Sequence, residues 1–174
     1  DVCGQSDIEQ GTRTQLISEV FANLRDYNNP RTSGLVETTI SGMGVAAVEP
    51  LLYVIENATR HESRKHALLI LGAVFARLNK SKEPVEDVAA KSIDLCRSLV
   101  EGESVEMAGA AMTTLGDICS CTLVSADVLR DVSHNLRASL GESTRPFELL
   151  RALGKICGNP TTPIEERLNT VQLF

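Results

Sequence analysis

Aromatic residues are scarce in this chain, and Trp is absent. Aromatics make up 3% of the 174 residues, whereas hydrophobic residues as a whole make up 43%. β-Strands favour aromatic and β-branched side chains, so this scarcity counts against a stacked β-sandwich. The core must be built from Leu, Ile, Val, Ala and Met, which suits closely packed helices. The composition therefore predicts an all-α protein.

An excess of basic residues is also missing. The chain has 17 Lys and Arg against 23 Asp and Glu, and its net charge is −6. Proteins that bind nucleic acid normally carry a basic surface, with aromatic side chains that stack on unpaired bases. No nucleic-acid partner is therefore expected.

Long hydrophobic runs are missing too. The longest apolar run covers residues 67–76 and ends at Arg77. This is half of the roughly 20 residues that a helix needs to cross a bilayer. No membrane span is expected, and the cytoplasm is the favoured compartment, with secretion as the alternative.

Sequence motifs for catalysis and metal binding do not occur. There is no CxxC, no HExxH, no Gly-rich phosphate loop and no nucleophile elbow. The histidines are His61, His66 and His134, and the closest two are five residues apart, whereas zinc pairs on a helix need a spacing of three or four. We expect no metal, no cofactor and no catalytic residues, and so not an enzyme.

The five Cys residues cannot all pair within one chain, because their number is odd. Cys119 and Cys157 occupy the same position in two similar stretches, and Phe75 takes that position in a third. This pattern predicts two buried thiols, since free Cys is among the most buried residue types. Cys3, near the start of the chain, is expected to be exposed or cross-linked.

Three stretches of the chain repeat one pattern. Each contains a Leu-Gly pair within an apolar helical stretch, and the three residues Leu71, Leu115 and Leu153 lie 44 and then 38 positions apart. Self-similarity at this period is typical of helical repeat arrays, in which each helical hairpin buries its apolar stripe against its neighbours. Arrays of this kind usually present surfaces to partners.

Capping signals and helix breakers predict nine helices joined by short turns. Asn28-Asn29-Pro30 and Gly158-Asn159-Pro160, for example, each end a helix. No interior linker is evident, so residues 1–174 are expected to form a single domain. The expected elements are four helical hairpins at roughly 7–44, 46–78, 84–121 and 125–157, and a terminal helix at 163–174.

The second hairpin resembles a HEAT repeat. In that family a Pro opens the first helix, an Asp or Asn closes it, and an Arg and an Ala precede a Leu-Gly pair in the second helix. Residues 46–78 match well, residues 84–121 match in part, and residues 125–157 keep the Leu-Gly pair. The matching residues of the second hairpin are Pro50, Leu51, Leu52, Ile55, Asn57, Arg64, Ala67, Leu71 and Gly72.

The resemblance implies a particular architecture, that of a HEAT-repeat (armadillo-like) α-solenoid. The expected fold is a right-handed α-α superhelix of about four HEAT-like helical hairpins plus a terminal helix. In such arrays the second helix of each hairpin lines the concave surface, so the resemblance places the binding surface on the second helices of this chain.

Aligning the three stretches on their Leu residues predicts which positions are buried. The positions three and four before and after each Leu are apolar and form one helical stripe. These positions hold Ala67, Leu68, Val74 and Phe75; Ala111, Met112, Ile118 and Cys119; and Leu149, Leu150, Ile156 and Cys157. In the helix expected at 32–44, Leu35 is likewise predicted to face inward.

The Gly of each pair is predicted to be a packing device. Gly inside a helix costs roughly 0.5–1 kcal/mol relative to Ala. Its recurrence at Gly72, Gly116 and Gly154, with Gly44 as a fourth instance, therefore suggests that a neighbouring helix approaches too closely for a side chain.

The remaining positions of the second helices are predicted to face a partner. This surface is expected to be acidic in the middle repeat and mixed in the last, with an apolar centre at Leu69, Ala73 and Ala110. The candidate partner-binding residues are Glu62, His66, Leu69, Ala73, Arg77, Glu106, Ala110, Thr113, Asp117, Glu148, Arg151 and Lys155. The corresponding function is a non-catalytic protein–protein interaction scaffold that binds an unidentified peptide or helix. A solvated helix face without a partner is the alternative interpretation.

One basic cluster allows a second kind of site. Arg60, His61, Arg64, Lys65 and His66 lie together at a helix start, where a phosphate or an acidic peptide could bind. The structural interpretation is favoured, because Arg64 occupies the position of the HEAT arginine.

Two further resemblances provide alternative functions. The Leu-Gly stretches are similar to the helical domain of vitellogenin-like lipid transfer proteins, which implies lipid carriage. HEAT-like arrays also include lyases of the bilin lyase type. The last helix carries Leu168, Val171, Leu173 and Phe174, which either pack on helix eight, continue a longer solenoid or mediate self-association.

Overall fold

A computed structural model describes residues 10–24, 29–78, 85–102, 104–141 and 145–173. This part of the chain contains nine α-helices and one short 3-10 helix, so the prediction of an all-α protein with nine helices is confirmed. In chain order the elements are α1 (Gln10–Asn23), α2 (Pro30–Ser41), the 3-10 helix (Gly44–Ala47), α3 (Val48–Asn57), α4 (His61–Leu78), α5 (Glu86–Gly102), α6 (Val105–Cys119), α7 (Ala126–Ala138), α8 (Pro146–Gly158) and α9 (Ile164–Val171).

Local capping chemistry explains several of the helix starts. The Asn29 side chain accepts hydrogen bonds from the backbone N–H groups of Arg31 and Thr32, at 3.1 and 3.4 Å. Ser104 and Ser125 cap α6 and α7 in the same way. Such caps satisfy backbone donors that have no partner within the helix. The predictions for Cys3 and for Phe174 lie outside the described residues.

The chain divides into two compact units, residues 1–83 and 84–174. In the first unit, α1 packs on α3 and α2 packs on α4, while α3 and α4 form a hairpin. The Arg64 Nε donates to the Ile55 carbonyl at 2.7 Å, and this bond ties α4 to α3. The core of this unit includes the fully buried Phe21, Leu51 and Phe75.

The second unit repeats this layering with more helices. α5 pairs with α6, α6 packs on α8, and α9 lies against both α7 and α8. The Asn159 side chain, after α8, donates to the carbonyls of Cys119 and Cys121 at 2.8 and 2.9 Å. Because Asn159 is buried, these bonds anchor the turn before α9 to the end of α6.

Most of the aligned apolar positions are buried, as predicted. The three Leu residues that define the repeat are at most 1% exposed, and Cys119 is fully buried. Three predictions are wrong: Leu150 and Cys157 are half-buried, and Leu35 is 69% exposed. α9 covers only part of the Cys157 side chain. The Cys157 Sγ donates to the Arg167 carbonyl at 3.5 Å.

The packing role predicted for the repeated Gly holds at Gly116 and fails at Gly154. A Cβ on Gly116 would lie 2.9 Å from the Ala152 Cα, so α8 approaches α6 too closely for a side chain. A Cβ on Gly154 would meet nothing within 4 Å, so the prediction is wrong there. Gly44 has a φ of 64°. Only Gly adopts this conformation readily, and this explains why Gly occupies the position.

Candidate interaction surface

The close approach at Gly116 brings two candidate residues together. Lys155 of α8 donates a hydrogen bond to the Asp117 carboxylate of α6, and both side chains are about one quarter exposed. The pair joins two helices of the same layer and lies beside the Gly116–Ala152 contact. Asp117 is therefore neutralised by its neighbour, and the middle repeat does not present a bare acidic face.

A second ion pair lies at the start of α8. The Arg145 Nη1 donates to the Glu148 carboxylate at 2.8 Å, and this hydrogen bond lowers the pKa of Glu148. The guanidinium of Arg145 lies against Gly109 of α6, where a Cβ would be 2.9 Å from Nη1. Sequence reasoning missed Arg145. The available signal was Gly109, which lies two helical turns before Gly116 and so shares its face of α6.

The other candidate residues on α6 and α8 differ in their exposure and in their hydrogen bonds. Arg151 and Glu106 are exposed, as predicted. Thr113 is half-buried, and its hydroxyl donates to the Gly109 carbonyl at 3.0 Å. Ala110 is 7% exposed, so its prediction as a displayed residue is wrong.

We call the resulting patch the α6–α8 surface. It contains three cationic and three anionic side chains, so its formal charge is balanced. Its members are Glu106, Thr113, Asp117, Arg145, Glu148, Arg151 and Lys155.

The candidates on α4 belong to the first unit. Leu69 is 39% exposed and Ala73 is half-buried, so an apolar strip of α4 is displayed. Glu62 and Arg77 are exposed at the two ends of this strip, and His66 is half-buried between them. This part of the prediction agrees with the structure, although Ala110 does not contribute to it.

Two of the α4 candidates make defined interactions. The Arg77 Nη1 donates to the Thr38 carbonyl at 3.3 Å, which links α4 to α2. Burial lowers the pKa of His66, and the carboxylate of Glu62 opposes this effect. Burial therefore favours the neutral form of the imidazole.

The two arginines of the basic cluster at the start of α4 donate hydrogen bonds to backbone carbonyls within the fold. The Arg60 Nη1 donates to the Leu24 carbonyl at 3.1 Å, and Arg64 donates to the Ile55 carbonyl. Guanidinium groups held by backbone carbonyls are poorly placed to receive a phosphate. These contacts support the structural interpretation of the cluster.

The thiols of the second unit are reduced and mostly buried. Cys96, Cys119 and Cys121 are buried, and no disulfide links the described cysteines. Burial raises the pKa of Cys119 to about 12, and it also raises the pKa of Cys96. Protonated thiols of this kind behave as small apolar core groups. In the part of the chain that the structure describes, no three His, Cys, Asp or Glu residues are arranged to hold a metal ion.

The first unit contains a groove that the sequence did not reveal. It has a volume of about 330 Å³ and lies between α1, α3 and the start of α4. Phe21, Tyr53 and Val54 are among its apolar lining residues, and Tyr53 is half exposed. No spacing rule in the sequence predicts it, because it depends on how far α1 lies from the end of α3.

Within the described ranges, no single helix combines the length and hydropathy needed to span a bilayer. The pair Pro30–Ser41 and Gly44–Asn57, bent by 118°, meets these criteria by length and composition only.

Comparison of the chain with protein-family models, with curated proteins and with solved structures found no match in any of the three.

Proposed function

We propose that this protein is a non-catalytic interaction scaffold that binds a helix or extended segment of another protein on the α6–α8 surface. The observation that carries the proposal is the set of ion pairs on this surface. Cross-helix and helix-start pairs hold charged groups in fixed positions at the exposed face of two packed helices. Fixed donors and acceptors lose little side-chain entropy when a partner binds.

The proposal includes a HEAT-type architecture and a right-handed superhelix. Its support is the layering within each unit: α1 lies on α3 and α2 on α4 in the first, and α6 lies on α8 in the second. In the first unit a first helix thus packs on a first helix, and in both units a second helix packs on a second helix, as in stacked repeats. The Arg64 bond to the Ile55 carbonyl gives the HEAT arginine a physical role here.

The chemistry of the α6–α8 surface favours a peptide or helix with mixed charge. Arg145, Arg151 and Lys155 offer donors, while Asp117 and Glu148 offer acceptors. A partner segment supplies both kinds of group through its side chains, and an extended segment also through its backbone. A uniformly anionic partner would be repelled by the carboxylates of the surface.

A charge swap distinguishes an effect on folding stability from an effect on partner binding. Exchanging the pair in the variant D117K/K155D keeps an ion pair but reverses its direction across the surface. Because the variant keeps an ion pair between the same two positions, we expect the free energy of unfolding in urea to stay within about 1 kcal/mol of the wild type. Partner capture, measured by quantitative mass spectrometry, should fall about tenfold, since the partner meets both charges reversed.

The matched control is the cross-helix pair of the other layer. The Arg97 Nη2 of α5 lies 2.5 Å from the Asp131 carboxylate of α7. The variant R97D/D131R makes the same exchange away from the α6–α8 surface and should leave capture unchanged. Equal losses in both variants, or no loss in D117K/K155D, would refute the proposed surface.

A further inference from the structure

The last helix, α9, is turned with its apolar side outward. Ile164, Leu168 and Val171 are 67%, 57% and 62% exposed, whereas Glu166 and Thr170 are buried. Residues spaced by four and three positions lie on one face of a helix, so the three apolar residues form a single stripe. This arrangement is the reverse of the usual one, in which the apolar stripe faces the core.

Polar contacts on the opposite face hold α9 in this orientation. The Arg137 guanidinium of α7 lies 2.5 Å from the Glu166 carboxylate, and both side chains are mostly buried. Arg137 also donates to the Thr170 hydroxyl at 3.3 Å. Rotating α9 to bury its stripe would leave Arg137 without these partners, which is strongly unfavourable for a buried charge.

Contacts at the start of α9 fix the helix from a second direction. The Arg167 Nε donates to the Thr162 carbonyl at 3.0 Å, and its Nη2 donates to the Asn159 carbonyl at 2.8 Å. These bonds fasten α9 to the turn that Asn159 anchors on α6. The stripe is therefore displayed by specific interactions and not by a loose chain end.

The size of the stripe suits the centre of a protein interface. Three side chains that are more than half exposed form an apolar patch on the order of 300–400 Å². A standard interface buries about 800 Å² on each partner, with an apolar centre and a polar rim. The patch is about half of that area, so it would form the apolar centre of the interface and the residues around it the polar rim.

We propose that a second copy of this chain covers the stripe, with the two α9 helices packed antiparallel around a two-fold axis at Leu168. A two-fold interface requires a patch that is complementary to itself. Ile164 precedes Leu168 by four residues and Val171 follows it by three, so an antiparallel copy places Ile164 of each chain opposite Val171 of the other.

The charges beside the stripe favour the antiparallel arrangement. Glu165 and Gln172 border the same edge of the stripe, near its two ends, and both are exposed. In the antiparallel pair each Glu165 lies opposite a Gln172, whose amide can donate to the carboxylate. A parallel two-fold pair would place the Glu165 of one chain and the Gln172 of the other on opposite sides of the interface, so this contact would not form.

The test is the oligomeric state of the chain across the micromolar range, measured by sedimentation velocity. We expect a reversible dimer for the wild type. The variant L168E places two carboxylates on the axis and should raise the dimer dissociation constant about 100-fold or more. Leu168 is largely exposed, so the unfolding midpoint of this variant should stay close to that of the wild type.

The matched control is N169E, which adds the same charge at an exposed neighbour outside the stripe and should dimerise as the wild type does. A wild-type chain that remains monomeric contradicts the proposal, and so does an L168E variant that dimerises normally. If a monomeric wild type binds a hydrophobic dye that L168E does not bind, the stripe serves a different partner and the second copy is excluded.

Discussion

At the scale of single residues, two glycines in the same repeat position meet different surroundings. A Cβ on Gly116 would lie 2.9 and 3.2 Å from the Cα and Cβ of Ala152, and a backbone atom cannot move aside cheaply. Gly154 is exposed and its missing Cβ would meet nothing within 4 Å. The same substitution therefore has opposite consequences at these two positions.

We predict that Gly116→Ala lowers the free energy of unfolding by about 1–3 kcal/mol, because it overpacks the contact between α6 and α8. Gly154→Ala should raise it by about 0.5–1 kcal/mol, because Ala favours an exposed helix position over Gly. Urea unfolding followed by circular dichroism measures both values. A neutral or stabilising Gly116→Ala would show that the two helices lie farther apart than described.

The repeat pattern in the sequence could not separate these two cases. It shows that Leu115 and Leu153 take equivalent places, and both are buried as predicted. Whether a neighbour touches the following Gly depends on the next helix in the layer. Gly116 has α8 beside it, whereas nothing lies within 4 Å of the position that a Cβ on Gly154 would take.

At the scale of helices, the sequence predicted where each helix lies in the chain. It did not always predict which face of the helix is turned toward the core. Breakers and caps such as Pro30 and Ser125 act through neighbouring residues, so the sequence locates helix starts well. The rotation of α9 depends on Arg137, which lies on a different helix. A pattern based on apolar spacing would have buried Ile164 and Leu168, and the structure exposes both.

The buried ion pair between α7 and α9 predicts a clear stability difference between adjacent residues. Glu166→Gln removes the charge that Arg137 pairs with and should lower the free energy of unfolding by about 2 kcal/mol. Glu165→Gln makes the same change at an exposed position and should have an effect below about 0.5 kcal/mol. Urea unfolding of the two variants measures the contrast. Equal values would mean that Glu166 does not hold α9 in place.

At the scale of the whole molecule, composition and repeat spacing identified an all-helical chain with layered hairpins. What the sequence did not reveal was the pairing of charges between helices. Asp117 and Lys155 are 38 positions apart, and their contact follows from the absence of a side chain at Gly116. The middle repeat was predicted to have an acidic face, whereas the α6–α8 surface carries equal numbers of positive and negative side chains.

We propose above all that the α6–α8 surface binds the partner. Arg151 provides the most direct test, because it is exposed on α8 between the two ion pairs of that surface. Arg130 is its control, since it is an exposed Arg on α7, away from the α6–α8 surface, where it pairs with the exposed Asp127. Both are replaced by Glu, and the amount of co-purified partner is quantified against the wild type by mass spectrometry.

We predict that Arg151→Glu lowers partner capture about tenfold, equivalent to about 1.4 kcal/mol of binding free energy, while Arg130→Glu captures as much as the wild type. Undiminished capture by Arg151→Glu would contradict the assignment of the binding site to this surface.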